Sequence, residues 1–408
     1  MAALPWRLGQ AEAGVGSTLI LVLVVVAAFA FDFTNGFHDT ANAMATSIVS
    51  GALQPKVAVM LSACLNFAGA FISINVAATI AHGIVNPAVL VGGDGLELVL
   101  AALIGAMMWN LITWYLAIPS SSSHALIGGV IGATIVASSS AEVNWHNLLQ
   151  TVVVPALLSP FMAGAVALIG TVFVYRLIRR LGERKARTGY RVGQVFSASL
   201  VSLAHGTNDA QKTMGVISLA LIANGNISAV HFSIPIWVKL GCAAAIAAGT
   251  ACGGWRIINT MGNRITNIEA PQGFSAESSS AAVILASSYY GYPLSTTQVV
   301  SGGVMGAGLG KKLASVHWNV IGRMASAWAL TIPAAALLAG VTSEVSNLFS
   351  VHSTLGSLVI CIIAAIGAVG LWTLARRNKV TAADLDRTKI SSAEEAGSGD
   401  QTPAIAAA

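Results

Sequence analysis

The decapeptide NGFHDTANAM at residues 35–44 returns in altered form as HGTNDAQKTM at residues 205–214. Its glycine, its aspartate and its final methionine coincide in the two copies, and the aspartates, Asp39 and Asp209, lie 170 residues apart. Both copies stand inside or beside long apolar stretches, where an ionised carboxylate costs at least about 2.5 kcal/mol. The recurrence of so costly a residue indicates two related halves of a membrane protein.

The repeat continues through a second pair of motifs at nearly the same spacing. Residues 118–124 read IPSSSSH and residues 292–298 read YPLSTTQ, and their prolines lie 174 residues apart. Trp145 and Trp318 extend the series at a spacing of 173 residues. With about five segments in each half, an odd number, the second copy would be upside down in the membrane. The sequence therefore predicts an all-α polytopic membrane protein with two inverted-topology repeats, broken helices or re-entrant hairpins, and about 11–12 membrane segments.

The composition of the 408-residue chain supports this prediction. Hydrophobic residues make up 55% and charged residues only 9%, whereas a water-soluble domain needs about a quarter of its residues charged. Uninterrupted apolar stretches at residues 57–80, 98–118 and 358–375 approach the length of about 20 residues with which a helix crosses the hydrocarbon. The formal charge of +5 does not indicate nucleic acid as a partner, because the basic residues stand at segment ends. The four cysteines lie in apolar segments without metal-like spacing, so we interpret them as small buried hydrophobes.

The distribution of lysine and arginine predicts the topology. Four loops predicted to lie outside, near residues 82–96, 139–147, 225–231 and 342–353, contain neither residue type, which places the N-terminus outside and the C-terminus inside. The predicted divisions are an N-terminal segment 1–16, a first transmembrane repeat 17–181, a basic cytoplasmic loop 182–192, a second transmembrane repeat 193–341, a final helix with its flanks 342–380 and a disordered cytoplasmic tail 381–408.

The two proline-led runs are the strongest ligand signal. Proline suits the first position of a helix, and the serine or threonine residues after it offer caps and free hydroxyls. The N-terminus of a half-helix that points into the bundle presents unpaired amides and a positive dipole end to an anion. Two such ends facing each other suit a tetrahedral oxyanion. The candidate substrate-binding residues are Ser121, Ser122, Ser123, Ser295, Thr296, Thr297, Thr207 and Asn208.

The paired aspartates are the candidate cation site. The glycine before each of them, Gly36 or Gly206, is predicted to let the helix unwind toward a polar cavity. An anion pocket beside two carboxylates needs added positive charge: a proton on a carboxylate or histidine, a sodium ion between the aspartates, or a divalent metal bound to the anion. This need predicts symport, with no further cofactor. Asp32 has no aligned partner and is interpreted as a structural or entrance residue. The candidate ion-coupling residues are Asp39, Asn42, Asp209, His38, His124 and Lys212.

At these residues the sequence resembles the inorganic phosphate transporter (PiT) family, and most closely its bacterial low-affinity branch. The segments GFHDTANA at residues 36–43 and GTND at residues 206–209, with the two proline-led runs, look like that family's motifs in order, and the similarity extends from residue 31 to residue 340. The resemblance implies secondary active uptake of inorganic phosphate across a bacterial inner membrane, with phosphate held by the Ser/Thr segments and the Gly-x-x-Asp breaks. It also implies that residues binding the coupling ion include Asp39, Asn42, Asn208 and Asp209.

The bacterial relatives are similar to proton symporters that accept neutral metal–phosphate complexes, whereas other branches use sodium. Gln298 stands where those relatives usually have histidine, and the mid-chain cytoplasmic loop is shorter than theirs. Proton coupling is therefore the leading expectation. A sodium-coupled phosphate symporter and a transporter of sulfate or another oxyanion are the alternatives, and a homodimer is compatible with the sequence.

Two other classes of function stay open. An intramembrane hydrolase could use a serine with a histidine, but Ser123 and His124 are adjacent, which points them to different sides of a helix, and no nucleophile motif surrounds them. A passive anion channel differs from a transporter in that it cannot support uptake against a gradient. No nucleotide-binding motif is present, so we expect an ion gradient to drive transport and do not expect an enzyme.

Overall fold

The computed structural model describes residues 15–85, 95–181, 183–228, 232–311, 316–349, 354–377 and 380–384. These residues are almost entirely helical, with two isolated β-bridges among them. The predicted N-terminal segment up to residue 14 and the predicted disordered tail beyond residue 384 lie outside the described residues. The helices are α1 (Val15–Val49), α2 (Pro55–Gly69), α3 (Asn75–Gly83), α4 (Gly95–Tyr115), α5 (Ser122–Ala137), α6 (Val154–Leu181), α7 (Glu183–Ala223), α8 (Ile236–Cys252), α9 (Trp255–Asn259), α10 (Ala270–Tyr289), α11 (Thr296–Lys311), α12 (Trp318–Asn347) and α13 (Thr354–Arg377).

Several helices are long and apolar enough to cross a membrane. Among the described residues there are five such spans, within Gly16–Val49, Gly95–Tyr115, Trp145–Arg180, Trp318–Asn347 and Thr354–Asp384. A sixth arises if α8 and the segment after it, Trp255–Arg264, form one span bent by 61°. The all-α polytopic prediction is confirmed. The total of about 11–12 segments stays a prediction.

The second membrane segment of each half is broken. A gap separates α2 from α3, so the membrane segment predicted at residues 57–80 consists of two helices. The first amides of a helix lack partners within it, and here the side chain of Gln211 accepts from Val76 N at 2.9 Å. In the second half, Gly253 adopts a φ of 71° between α8 and α9, a conformation that favours glycine.

Gly36 and Gly206 serve close packing instead of unwinding. Helices α1 and α7 run continuously through these positions, so the predicted breaks at the two Gly-x-x-Asp motifs are wrong. A Cβ atom at Gly36 would collide with the carbonyl oxygen of Ile246 on α8, and one at Gly206 with that of Asn66 on α2. Glycine is required because its missing side chain lets two helix backbones touch.

The contacts between helices occur in pairs related by exchange of the two halves. Helix α1 packs against α8 as α7 packs against α2, and α5 packs against α12 as α11 packs against α6. Gly132 on α5 faces Ala336, and Gly306 on α11 faces Gly164, so closely that a Cβ atom would overlap the partner's carbonyl oxygen. This exchange supports two related halves that wrap around each other. The inverted orientation of the second half stays a prediction.

Basic residues collect where α1 ends. A cavity of about 350 Å³ there is lined by residues that include Ser50, Tyr175, Arg191 and Glu269. Lys311, the last residue of α11, places its Nζ 2.5 Å from Glu269 Oε1. The positive-inside rule predicts that this end of the bundle faces the cytoplasm, and the orientation stays a prediction. The start of α1 lies toward the opposite end of the bundle.

Candidate functional site

Asp39 on α1 and Asp209 on α7 meet inside the bundle, and His205 stands between them. All three residues are at most 1% exposed. His205 Nε2 lies 3.0 Å from Asp209 Oδ2 and 4.0 Å from Asp39 Oδ2. The three side chains offer ligand atoms within 4.8 Å of one another, close enough to share one cation. We call Asp39, His205 and Asp209 the acid–histidine cluster.

The neighbours of His205 favour its doubly protonated form. The Thr250 hydroxyl donates to Ile246 O at 2.8 Å, so it accepts from Asn66 Nδ2, also at 2.8 Å. This bond turns the amide oxygen of Asn66 toward His205 Nδ1, at 3.1 Å. An amide oxygen only accepts, so Nδ1 carries a hydrogen. Because Nε2 faces carboxylate oxygens, which also accept, the geometry suits an imidazolium with hydrogens on both nitrogens.

The first proline-led run brings the N-terminus of α5 to the cluster. Ser121 Oγ accepts from His124 N at 3.1 Å and so caps the helix. Ser122 Oγ donates to Asp39 Oδ2 at 2.8 Å. Ser121 has an extended backbone just before the first helical residue, so its hydroxyl can accept from an amide in the first turn of the helix.

The second proline-led run brings the N-terminus of α11 to the same place. Ser295 Oγ accepts from Gln298 N at 3.3 Å, as Ser121 does in the first half. Thr296 Oγ1 donates to Asp209 Oδ2 at 3.2 Å, and Thr297 Oγ1 donates to Asp39 Oδ1 at 3.4 Å. Hydroxyls from both helix N-termini thus bond the carboxylates of the cluster.

Lys212 ties the second aspartate to both proline-led runs. Its Nζ donates to Asp209 Oδ1 at 2.5 Å, to Ser123 Oγ at 2.5 Å and to Leu294 O at 2.8 Å. The Asp–Lys pair considered from the sequence is present. With Lys212 charged and His205 an imidazolium, the two aspartates are balanced before any substrate enters.

Two further candidates lie beside the cluster. His38 Nδ1 is 2.6 Å from Asp39 Oδ1, and its Nε2 is 3.4 Å from Thr113 Oγ1. Asn42 Nδ2 donates to Thr297 Oγ1 at 3.0 Å. His38 therefore holds the first aspartate in place, and Asn42 holds the second proline-led run in place.

Three further candidates, Thr207, Asn208 and His124, lie away from the cluster's hydrogen bonds. Thr207 Oγ1 donates to Gly69 O at 2.9 Å and satisfies a carbonyl where α2 ends. Asn208 Nδ2 donates to Ser288 Oγ at 2.9 Å. The main-chain N–H of His124 donates to the capping Ser121 Oγ, while its ring Nε2 finds no hydrogen-bond partner among the described residues. The side chains of Thr207 and Asn208 fix the surrounding helices.

His205 is the member of the cluster that sequence reasoning missed. The repeat aligns it with Asn35, so it does not stand out as a matched pair. Its spacing from Asp209 is nevertheless four residues, which places the two on one face of a helix. That spacing was the signal that could have revealed it.

Glu277 on α10 was missed as well. It is 1% exposed, and its carboxylate accepts from Thr46 Oγ1 at 2.5 Å, Ser197 Oγ at 2.6 Å and Gln194 Nε2 at 3.2 Å. The available signal was a single acid among the serines of an apolar segment, an arrangement that marks a functional residue by default. Its hydroxyl and amide partners join α1, α7 and α10 between the cluster and the basic end of the bundle.

Membrane-crossing helices that enclose paired carboxylates and two converging helix N-termini define a class of protein, the helical membrane transporters. Residues 35–339 match the Phosphate transporter family. The "Probable low-affinity inorganic phosphate transporter" of Mycobacterium bovis (strain ATCC BAA-935 / AF2122/97) is 52% identical over 363 residues, which cover 89% of this chain and 84% of that relative. The protein described by the same words in Bacillus subtilis (strain 168) is 41% identical over 321 residues, covering 79% of this chain and 95% of that one.

A solved structure described as "The sodium-dependent phosphate transporter" superposes with a TM-score of 0.72 at 25% identity, covering 81% of this chain and 99% of that chain. The chain belongs to the Phosphate transporter family. The family consists of transporters and not of enzymes, which excludes the hydrolase interpretation.

Proposed function

We propose that this protein imports inorganic phosphate across a bacterial inner membrane by symport with protons. The observation that carries the proposal is the convergence of two helix N-termini on an acid–histidine cluster inside the bundle. The N-termini supply the chemistry of anion binding, and the cluster supplies the chemistry of cation coupling.

The phosphate would lie between the starts of α5 and α11. Ser122 and Thr296 now donate to the two aspartates, and a phosphate oxygen can take the place of a carboxylate oxygen as their acceptor. Backbone amides in the first turns and two positive dipole ends add to the attraction. Lys212 Nζ, in contact with Ser123 Oγ, would supply a fixed positive charge to the anion.

The charge balance requires a cation to travel with the phosphate. Lys212 and an imidazolium at His205 already neutralise the two aspartates, so each negative charge on the substrate needs a further positive one. A proton taken up by the cluster, whose ligand atoms lie within 4.8 Å of one another, provides it. A divalent metal that arrives already bound to phosphate provides it as well, and we include a neutral metal–phosphate complex as a form of the substrate.

The position of His205 favours protons over sodium. The imidazole nitrogen lies 3.0 Å from Asp209 Oδ2, so it occupies space between the carboxylates that a sodium ion would need. Sodium coupling is the second candidate, and it is favoured by the likeness to the solved sodium-dependent phosphate transporter, which has a TM-score of 0.72.

Proteoliposomes with independently set gradients test the proposal. With an acidic exterior and no sodium, we expect phosphate to accumulate inside, and we expect a protonophore to abolish the accumulation. A sodium gradient at equal pH should add nothing, and external magnesium should stimulate uptake if metal–phosphate is carried. Accumulation that follows sodium at equal pH would replace protons with sodium, and uptake of sulfate in preference to phosphate would overturn the substrate.

A further inference from the structure

Asp32 is a buried acid outside the acid–histidine cluster. It lies on α1 with 0% of its surface exposed. Thr213 Oγ1 donates to Asp32 Oδ1 at 2.9 Å, while Asp32 Oδ2 has no hydrogen-bond partner within the described part of the chain. None of the ion pairs between described residues includes Asp32. An ionised carboxylate with a single donor is costly in a membrane interior, so Asp32 is suited to hold a proton.

Its position connects it with the cluster. Asp32 and Asp39 are seven residues apart on the continuous helix α1, which puts them on one face and about 10 Å apart along the axis. Thr213 stands one helical turn beyond Asp209 on α7. Asp32 is the central residue of α1 and lies farther than Asp39 from the basic end of the bundle. With that end in the cytoplasm, as the distribution of basic residues predicts, Asp32 is on the extracellular side of the cluster.

Asn35 lies on the same face between the two acids. It is 2% exposed, and its Oδ1 finds no donor in the described ranges. Positions 32, 35 and 39 follow the i, i+3, i+7 pattern of a single helix face. Buried acceptors without donors call for a water or an ion that the fold must admit. The side-chain oxygens of Asp32, Asn35 and Asp39 thus form a row of buried oxygens along one face of α1.

This row of buried oxygens begins with an acid in one half of the protein only. The position that the repeat aligns with Asp32 is Ser202, whose hydroxyl lies 3.0 Å from both Ser62 Oγ and Ala198 O. A serine with satisfied bonds cannot carry a proton as a carboxylate can. The first half of the protein therefore has a titratable group at position 32, and the second half has none at the matching position, Ser202.

The charge on Asp32 is coupled to the charge on the cluster. An imidazolium at His205 favours ionised Asp32, whereas ionised Asp209 favours its protonated form. The titratable groups that face Asp32 are Asp209 and His205 on α7 and Cys242 on α8. On α1 itself the next such groups are His38 and Asp39, and α4, which packs against α1, carries Glu97 in its first turn.

We propose that Asp32 is the loading site of the coupling proton. Its carboxylate takes a proton from the extracellular side and, as the carboxyl, passes it to the acid–histidine cluster, which restores the carboxylate. The inference rests on the proposed proton symport and adds the residue at which the proton enters. Because Asp32 bonds neither proline-led run, phosphate exchange does not depend on it.

Two assays on reconstituted protein separate coupling from binding. One measures exchange of labelled phosphate across liposomes at equal pH, and the other measures accumulation driven by an acidic exterior over a range of pH. Asp32→Asn retains an oxygen that can accept from Thr213. We expect it to exchange phosphate within about twofold of the wild-type rate and to lose at least about tenfold in accumulation, as loss of a proton carrier requires.

Two control substitutions frame the result. Asp32→Glu keeps the titrating group and should retain accumulation, and Glu344→Gln makes the same chemical change at an exposed position of α12 and should alter neither assay. Thr213→Val removes the donor to Asp32, which disfavours the ionised form. Its accumulation should therefore extend to higher pH than that of the wild type.

Each outcome decides between distinct conclusions. If the wild type fails to accumulate phosphate under a proton gradient, the proposed function fails, whatever the variants do. If the wild type accumulates and folded Asp32→Asn accumulates equally, or loses exchange and accumulation together, the loading role of Asp32 is overturned and proton symport is untouched. If Asp32→Asn does not fold, Thr213→Val decides, and an unchanged pH profile overturns the role.

Discussion

Lys212 is the residue whose loss the structure predicts most sharply. It is 2% exposed, and its ammonium group contacts Asp209, Ser123 and Leu294 O. Lys212→Met keeps an unbranched side chain that is one atom shorter and removes the charge. Breaking a buried pair from one side costs about 3–5 kcal/mol, because the remaining charge stays buried without its partner. For a chain of 408 residues, an unfolding entropy of about 2.1 cal/mol/K per residue converts this to a fall of about 4–6 °C in melting temperature.

The assay is a double-mutant cycle followed by thermal unfolding in detergent. Wild type, Lys212→Met, Asp209→Asn and the double variant are compared, with Lys56→Met as a control because Lys56 is exposed. The double variant leaves no uncompensated charge, so we expect it to recover at least half of the loss and to give an interaction energy of about 1–3 kcal/mol. The control should stay within about 0.5 kcal/mol of wild type. Additive losses in the double variant, or a wild-type melting temperature for Lys212→Met, would refute the reasoning.

Two further predictions concern the helix N-termini and the glycine contacts. Ser122→Ala combined with Thr296→Ala removes one hydroxyl from each converging N-terminus and should raise the Kd for phosphate about tenfold, the equivalent of about 1.4 kcal/mol; an unaltered affinity in calorimetry would exclude these hydroxyls from the site. Gly306→Ala should lower the free energy of unfolding by about 1–3 kcal/mol, because its Cβ would overlap the backbone of Gly164. Gly322→Ala, where no described atom lies within 4 Å, should be stabilising by up to about 1 kcal/mol, and equal effects of the two substitutions would contradict the packing account.

The parts of the site that recur in both halves could be predicted from the sequence. Asp39 and Asp209 were found because a carboxylate in an apolar stretch is costly and here occurs twice at one spacing. Ser122, Thr296 and Thr297 were found because a proline followed by hydroxyl residues has a distinct role at the start of a helix. The structure brings all five together.

The features of the fold and site that depend on contacts with another helix could not be predicted from the sequence. Gly36 suggested a flexible break, but only the approach of Ile246 O from another helix shows that it is needed for contact. The break between α2 and α3 falls in an apolar stretch and could not be predicted. The group that accepts from the first amides of α3 is the side chain of Gln211, which lies on another helix, α7. His205 lacks a repeated partner and gains its role from two carboxylates on different helices. Apart from the four-residue spacing between His205 and Asp209, the local sequence pattern carries none of this information.

Proton-driven phosphate uptake by Asp39→Asn and Asp209→Asn tests the central claim most directly, that a buried carboxylate pair couples a cation to phosphate. Each variant is reconstituted and shown to be folded by its elution profile and melting temperature, and uptake is then measured with an acidic exterior. We predict that each substitution abolishes accumulation while the protein remains folded, because an amide cannot take up the coupling proton. Accumulation at the wild-type level by either folded variant would contradict the account.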